Sequence, residues 1–200
     1  MNRDRFQQIK GLFFTHRDVA RLLGITKPSA KVACCRYVRA GILVRLKRDC
    51  YLLKERWQRL SREEQFTLAN QLQVPSYVSL TSALSFDGYT TQTQQNFVES
   101  VALKRTQEIN IEGITFCFKK IKKEFYAGFE KREGFFIAGR QKAFLDALYL
   151  ASFGRYHLDC DAVEWQKLDR KKIDSWIKKY PQRTRRYWRN HAGINRTGTV

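Results

Sequence analysis

Cys34 and Cys35 stand side by side in VACCRYVRAG, residues 32–41, with Arg36 and Arg39 close behind. Adjacent thiols beside cations suit redox or metal chemistry, because nearby positive charge favours the reactive thiolate. Their setting argues against both. The five cysteines, at 34, 35, 50, 117 and 160, are odd in number and scattered, and no C-x2-C pair meets a matching pair among them or histidines 16, 157 and 191. Neither a disulfide framework nor a zinc site is expected. Asp159, Asp161 and Glu164 cluster in HLDCDAVEW and have the chemistry for a divalent cation. The same residues serve equally to cap a helix and complement its dipole. Lys142 and Asp146, four apart on a helical stretch, read as a surface ion pair. There is no P-loop, G-x-S-x-G, H-E-x-x-H or dinucleotide glycine fingerprint, and no acidic residue ahead of a Glu-x-Lys of the restriction-nuclease kind. The expectation is a protein that is not an enzyme, with no cofactor and no metal.

What the chain does offer is positive charge, +19 net over 200 residues, and unevenly spread. Residues 1–59 carry +11, residues 60–169 carry −1 and residues 170–200 carry +9. Solubility alone would not require such segregation, whereas a polyanion-binding surface would, since each neutralised phosphate releases condensed counterions. The opening MNRDRFQQIKGLFF has no signal-peptide core, and no later apolar run reaches membrane-span length. A cytoplasmic protein with no membrane partner is expected.

The elements that must position these cations begin with THRDVARLLG. Thr15 caps and Asp18 reaches back as a shortened capping box, Val19, Leu22 and Leu23 face inward, Arg17 and Arg21 face out, and Gly24 ends the helix. Thr26 caps a second helix over about 27–40, with Pro28 in its first turn and Gly41 after it. GILVRL and CYLL follow as two strands joined across Lys47, Arg48 and Asp49. This is the order of a winged helix-turn-helix, which lays its second helix in the DNA major groove. On that helix Ala30, Ala33, Cys34 and Tyr37 form the inward stripe, so Cys34 belongs to the core. Lys27, Ser29, Lys31 and Val32 are the candidate base readers. Arg17, Arg36, Arg39, Lys47 and Arg48 are the candidate phosphate clamps. A solvated basic face on a protein-interaction module is the plainer alternative.

After a linker-like LKERWQRLSREEQ, in which Ser61 and Glu64 form a capping box, the pattern predicts a second domain. YVSL reads as a strand, Thr81 as the N-cap of SALSFDG, and TTQTQQN as a polar loop. FVESVALK, TQEINIE, ITFCFKK, EFYAGFE and FFIAG read as strands, with Glu112-Gly113 as a hairpin turn. RQKAFLDALYLASFG reads as an amphipathic helix with Ala143, Phe144, Ala147, Leu148 and Ala151 on its apolar face, and residues 159–190 as short, increasingly basic helices. In IKKYPQRTRRYWRNH, Arg183, Arg185, Arg186 and Arg189 interleave with Tyr187 and Trp188, a pattern suited to phosphates and unstacked bases, or to a closing helix packed on the domain. The expected class is α+β: a winged helix-turn-helix over 1–56, then 57–200 as a mixed α/β domain with a mainly antiparallel sheet and a basic helical C-terminus.

Four stretches in this order, FTHRDVARLLGI, YVRAGILVRLKRDCYLL, PSYVSLTSALSFDG and FFIAGRQKAFLDALYL, resemble the AbiEi family of type IV antitoxins across most of residues 14–150. The resemblance implies a transcriptional autorepressor binding inverted repeats in its own promoter. It also implies an antitoxin that counters a nucleotidyltransferase-like toxin without needing a stable complex with it. Two positions depart from the family pattern. Arg48-Asp49-Cys50-Tyr51 stands where a wing-tip glycine is frequent, and Arg140-Gln141 where Pro-Glu precedes Lys-Ala. Two alternatives keep the DNA-binding module. One is a metal-dependent nuclease docked by it, using Asp159 or Asp161. The other is a regulator with no toxin partner.

Overall fold

The computed structural model of the protein describes residues 3–91 and 95–192, divided between two compact units, Met1–Gln65 and Phe66–Val200. In the first, α1 (Arg3–Phe6), α2 (His16–Leu23) and α3 (Lys27–Arg39) precede an antiparallel hairpin of β1 (Leu43–Lys47) and β2 (Cys50–Leu53). The starts of the two longer helices follow from local chemistry. The N–H and hydroxyl of Thr15 each donate to the Asp18 carboxylate at 2.8 Å, and Gly24 ends α2 in the left-handed region at φ 65. Thr26 Oγ1 accepts the Ser29 N–H at 3.3 Å and opens α3. Phe6, Phe14, Val19, Ala30, Cys34, Leu43 and Tyr51 form the core, with Leu22, Leu23 and Tyr37 packed at its margin. Each large apolar side chain buried there contributes roughly 1.5–3 kcal/mol.

The stretch expected as a linker is ordered. α4 (Lys54–Trp57) follows β2, its first N–H donates to Ile42 O at 2.9 Å, and Trp57 is buried. The charged surroundings of this indole disguise its burial in the sequence, and the first compact unit runs to Gln65. Ser61 and Glu64 do form the capping box, each N–H reaching the other's side chain at 3.2 Å, and α5 (Arg62–Leu72) follows.

The second unit adds β3 (Ser76–Val78), α6 (Leu80–Phe86), β4 (Phe97–Ala102), β5 (Gln107–Ile111), β6 (Ile114–Lys120), β7 (Phe129–Arg132), β8 (Phe135–Ala138), α7 (Arg140–Ser152), α8 (Arg170–Trp176) and α9 (Gln182–Ala192). One sheet runs in the order β5-β6-β4-β3-β8-β7. Pairs β3/β4, β5/β6 and β7/β8 are antiparallel, while β3/β8 and β4/β6 are parallel. The chain is thus mixed α+β, with a mainly antiparallel sheet and helices at both ends. The β5/β6 hairpin turns at Glu112-Gly113, both with positive φ, 45 and 86, as a two-residue hairpin requires. Part of the expected TTQTQQN loop, residues 92–94, lies outside the described residues.

Three expectations are corrected in this unit. Only the last two residues of EFYAGFE are strand; Lys123–Phe125 is a 3-10 turn, because Phe125 turns inward to stack on Tyr180 at 4.5 Å between ring centroids. The N-cap position of α6 is Ser79, not Thr81. Thr81 Oγ1 lies instead 2.7 Å from the Tyr156 hydroxyl. Finally, α7 is not amphipathic: every residue from Gln141 to Leu150 is buried. It packs against α6, α8, α9 and β8, so its polar face is covered as well as its apolar one. Among the described residues no helix is long and apolar enough to cross a membrane.

Candidate nucleic-acid interface

α3 presents one buried and one exposed face. Ala30, Ala33 and Cys34 are buried, while Lys27, Ser29, Lys31, Val32, Cys35, Arg36 and Arg39 are all exposed. No acidic residue occurs anywhere in KPSAKVACCRYVR. Lys27 stands in the first turn, where the helix dipole disfavours a cation by about 0.3–1 kcal/mol; an incoming phosphate reverses that penalty. Val32, 60 % exposed, gives the face an apolar patch of the kind that meets a thymine methyl. Ser29 fits its expected role less well. Its hydroxyl lies 2.9 Å from Thr26 Oγ1 within the helix cap, so the cap competes for it.

The hairpin tip is tied to the start of α2. Asp49, at φ 55, accepts the His16 backbone N–H at 2.9 Å and also contacts the His16 ring at Nδ1. Burial pushes the Asp49 carboxyl up, but the His16 N–H and ring and the nearby Arg17 charge outweigh it and hold the carboxyl below its usual value. The aspartate at the hairpin tip therefore serves as a tether, a role that spacing 33 residues away in sequence does not reveal. Around it Arg17 and Arg48 are exposed and Lys47 is half-buried. Arg45, which the sequence reading did not single out, is exposed on the outward side of β1; the alternation Val44-Arg45-Leu46 carried that signal. Asp18 is also held low, first by its Thr15 backbone bond. Both carboxyls sit below 3.8 when folded, so their contribution is present above the unfolded value and lost as pH falls through the folded one. Acid titration of the first unit, followed by circular dichroism, is expected to show destabilisation setting in below about pH 4. Asp49→Asn should make that acid dependence shallower.

The paired thiols separate cleanly. Burial pushes Cys34 up to about 11, assisted by Cys35 and Asp49, and burial likewise puts Cys50 at about 11. Cys35 is exposed among Lys31, Val32, Arg36 and Arg39. With a thiol reagent at neutral pH, Cys35 is expected to react in the native protein, while Cys34, Cys50 and Cys117 wait for unfolding. Rapid native labelling of Cys34 would contradict its place in the core.

At the other end of the chain, α9 sets Arg185, Arg186 and Arg189 on the face opposite buried Thr184 and Trp188. Trp188 is therefore not a stacking platform for bases: its Nε1–H donates to Asp174 at 2.7 Å and its ring meets Phe144 edge-on. Tyr187 is half-buried and stacks on His191 at 3.9 Å. The Arg183 guanidinium lies over the Phe153 ring at 5.3 Å.

The acidic cluster of HLDCDAVEW is organised as a turn. Asp159 Oδ1 accepts the N–H groups of Asp161 and Ala162 at 3.1 and 3.3 Å, and Glu164 pairs with Lys167 at 2.6 Å. Among the described residues no group of three His, Cys, Asp or Glu side chains is placed to hold a metal ion. The Lys142–Asp146 pair is not on the surface as expected. The two side chains are 4 % and 0 % exposed, and Asp146 Oδ2 also accepts from the Tyr77 and Ser79 hydroxyls at 2.9 Å each. Burial raises the Asp146 carboxyl against the opposing pull of Lys142, Ser79 and Tyr77. Helical spacing correctly pairs these residues but cannot say that α7 is covered on all sides.

No protein-family model and no curated protein matches the chain. Among solved structures, the crystal structure of the RV2827C protein from Mycobacterium tuberculosis is similar, with a TM-score of 0.60 and 10 % identity over 96 % of this chain and 74 % of that one. At that identity the likeness concerns the fold alone.

Proposed function

We propose that the chain is a DNA-binding transcriptional autorepressor whose N-terminal unit is a winged helix-turn-helix. We propose further that it acts in the cytoplasm as the antitoxin of a type IV toxin-antitoxin system. The observation that carries the reading is the exposed face of α3, where four cations and no anion surround an apolar centre. Lys27, Lys31 and Val32 read base edges in the major groove, with Ser29 as a contact that must first leave its cap. Arg17, Arg36, Arg39, Lys47 and Arg48 hold the phosphates, and Arg45 joins them from β1. The site is its own promoter, at inverted repeats. The partner is a nucleotidyltransferase-like toxin encoded next door, opposed without a stable complex. This part of the reading comes from the four family-like stretches and from no single residue.

Gel shift on the chain's own promoter, against random duplex at near-physiological salt, tests the first half. Specific binding is expected to be tighter by about a thousandfold or more, and Lys31→Ala should reduce specific affinity more than non-specific affinity. Equal binding to both duplexes would end the repressor reading. Growth rescue on co-expression with the adjacent gene product tests the second half, and a neighbour unlike a nucleotidyltransferase would leave a DNA-binding regulator without that partner.

A further inference from the structure

The second unit holds a cavity of about 270 Å3 whose lining includes Phe125, Gly128, Lys142, Trp176, Lys179 and Tyr180. Its walls are flat and aromatic: Phe125 and Tyr180 stack within 8° of parallel, and Trp176 is half-buried beside them. Its size is below that of sites for drug-sized ligands and matches a single substituted ring.

Lys142 is the unusual lining residue, being 4 % exposed. Its stem is clamped by Gly128, where a Cβ would lie 3.2 Å from Lys142 Cγ and where φ is +77. The ammonium pairs with Asp146 and donates to the Tyr180 hydroxyl oxygen at 3.4 Å. Tyr180 is thereby an acceptor from Lys142 with its own proton still to give, and the described residues supply no acceptor for it. Burial first, then Asp146 and Tyr149, push the phenol far above its usual range, which keeps it a donor. The charged residues of the lining are Glu124, Lys142 and Lys179, and Lys122 stands just outside it. Lys142 and Asp146 offset one another, Glu124 pairs with Lys122 at 3.6 Å, and Lys179 is exposed with no acidic partner among the described residues.

We propose that this cavity binds a small planar anion, an aromatic ring bearing one carboxylate. The ring lies between Trp176 and the Phe125–Tyr180 wall, and the carboxylate accepts from the Tyr180 hydroxyl and the Lys142 ammonium. An apolar slot would take a neutral ring, and a surface lysine would take any anion. The combination of stacked walls with two converging donors selects a ligand that is both flat and negative. The inference stands on the second unit alone and is independent of DNA binding.

Benzoate titrated into the full chain, followed by 1H–15N NMR, is the test. Saturable binding in the roughly millimolar range is expected, with shifts at the Gly128 amide and the Trp176 indole. Benzyl alcohol, which keeps the ring, and acetate, which keeps the charge, should each bind at least about tenfold more weakly. Tyr180→Phe retains the stack on Phe125 and should weaken benzoate about fivefold or more. Should that variant fail to fold, Trp176→Ala removes another aromatic ring of the lining and should weaken benzoate comparably. The proposal is overturned if benzyl alcohol or acetate matches benzoate, if the shifts map elsewhere, or if the folded variants bind as the parent does.

Discussion

Replacing Lys142 by Met is expected to destabilise the protein by about 3–5 kcal/mol, read as a lower denaturant midpoint of the full chain. The substitution keeps the volume of the stem and removes the cation that pairs with a carboxylate that is 0 % exposed. Asp146 would keep only the Tyr77 and Ser79 hydroxyls. Two neutral donors do not replace a full charge in a low-dielectric interior. The pH dependence has a defined sign. Burial already raises Asp146 when folded, and losing Lys142 removes the largest opposing influence. A carboxyl raised on folding binds its proton more tightly in the native state, so the deficit grows as pH rises above the unfolded value near 3.9 and shrinks on acidification. Lys142→Met combined with Asp146→Asn should recover most of the loss, because no unpaired charge then remains and the amide oxygen still accepts from Tyr77 and Ser79. A single variant costing less than about 1 kcal/mol would mean that the pair is solvated after all.

The second large effect belongs to α3. On the proposed DNA-binding reading, the double reversal Lys31→Glu with Arg39→Glu is expected to lower affinity for the promoter by on the order of a thousandfold at near-physiological salt. Folding should be unaffected, because both side chains are exposed and neither joins the buried stripe of Ala30, Ala33 and Cys34. Arg39→Ala alone should weaken specific and non-specific binding alike and make the salt slope shallower by about one unit. Retained promoter binding by the double reversal, with its circular dichroism unchanged, would remove α3 from the interface.

Much of the first unit was legible because its signals are local. Thr15 with Asp18, Gly24, Thr26 with Pro28 and the Ala30-Ala33-Cys34 stripe each act within one or two turns of helix, and the sequence displays them in order. The direction of Cys34 was readable for the same reason, and so was the direction of the cations on α3. Arg45 is equally local, since the alternation Val44-Arg45-Leu46 turns it outward on β1.

What escaped were contacts that join distant segments. His16 reaches Asp49 across 33 positions, Tyr77 reaches Asp146 across 69, and Trp188 turns in to meet Phe144 and Asp174. Periodicity sets which residues share a face of an element; it does not say whether that face meets solvent or another element. By itself, then, the sequence determined the caps of α2, α3 and α5, the helix and hairpin order of the first unit, the segregation of charge and the inward turn of Cys34. Tertiary structure decided that α7 is covered all round, and so turned an ordinary i,i+4 ion pair into a buried charge cluster beside an aromatic cavity. The physical reason is that burial is a property of what packs against a helix, and those partners, α6, α8, α9 and β8, come from both sides of it in sequence.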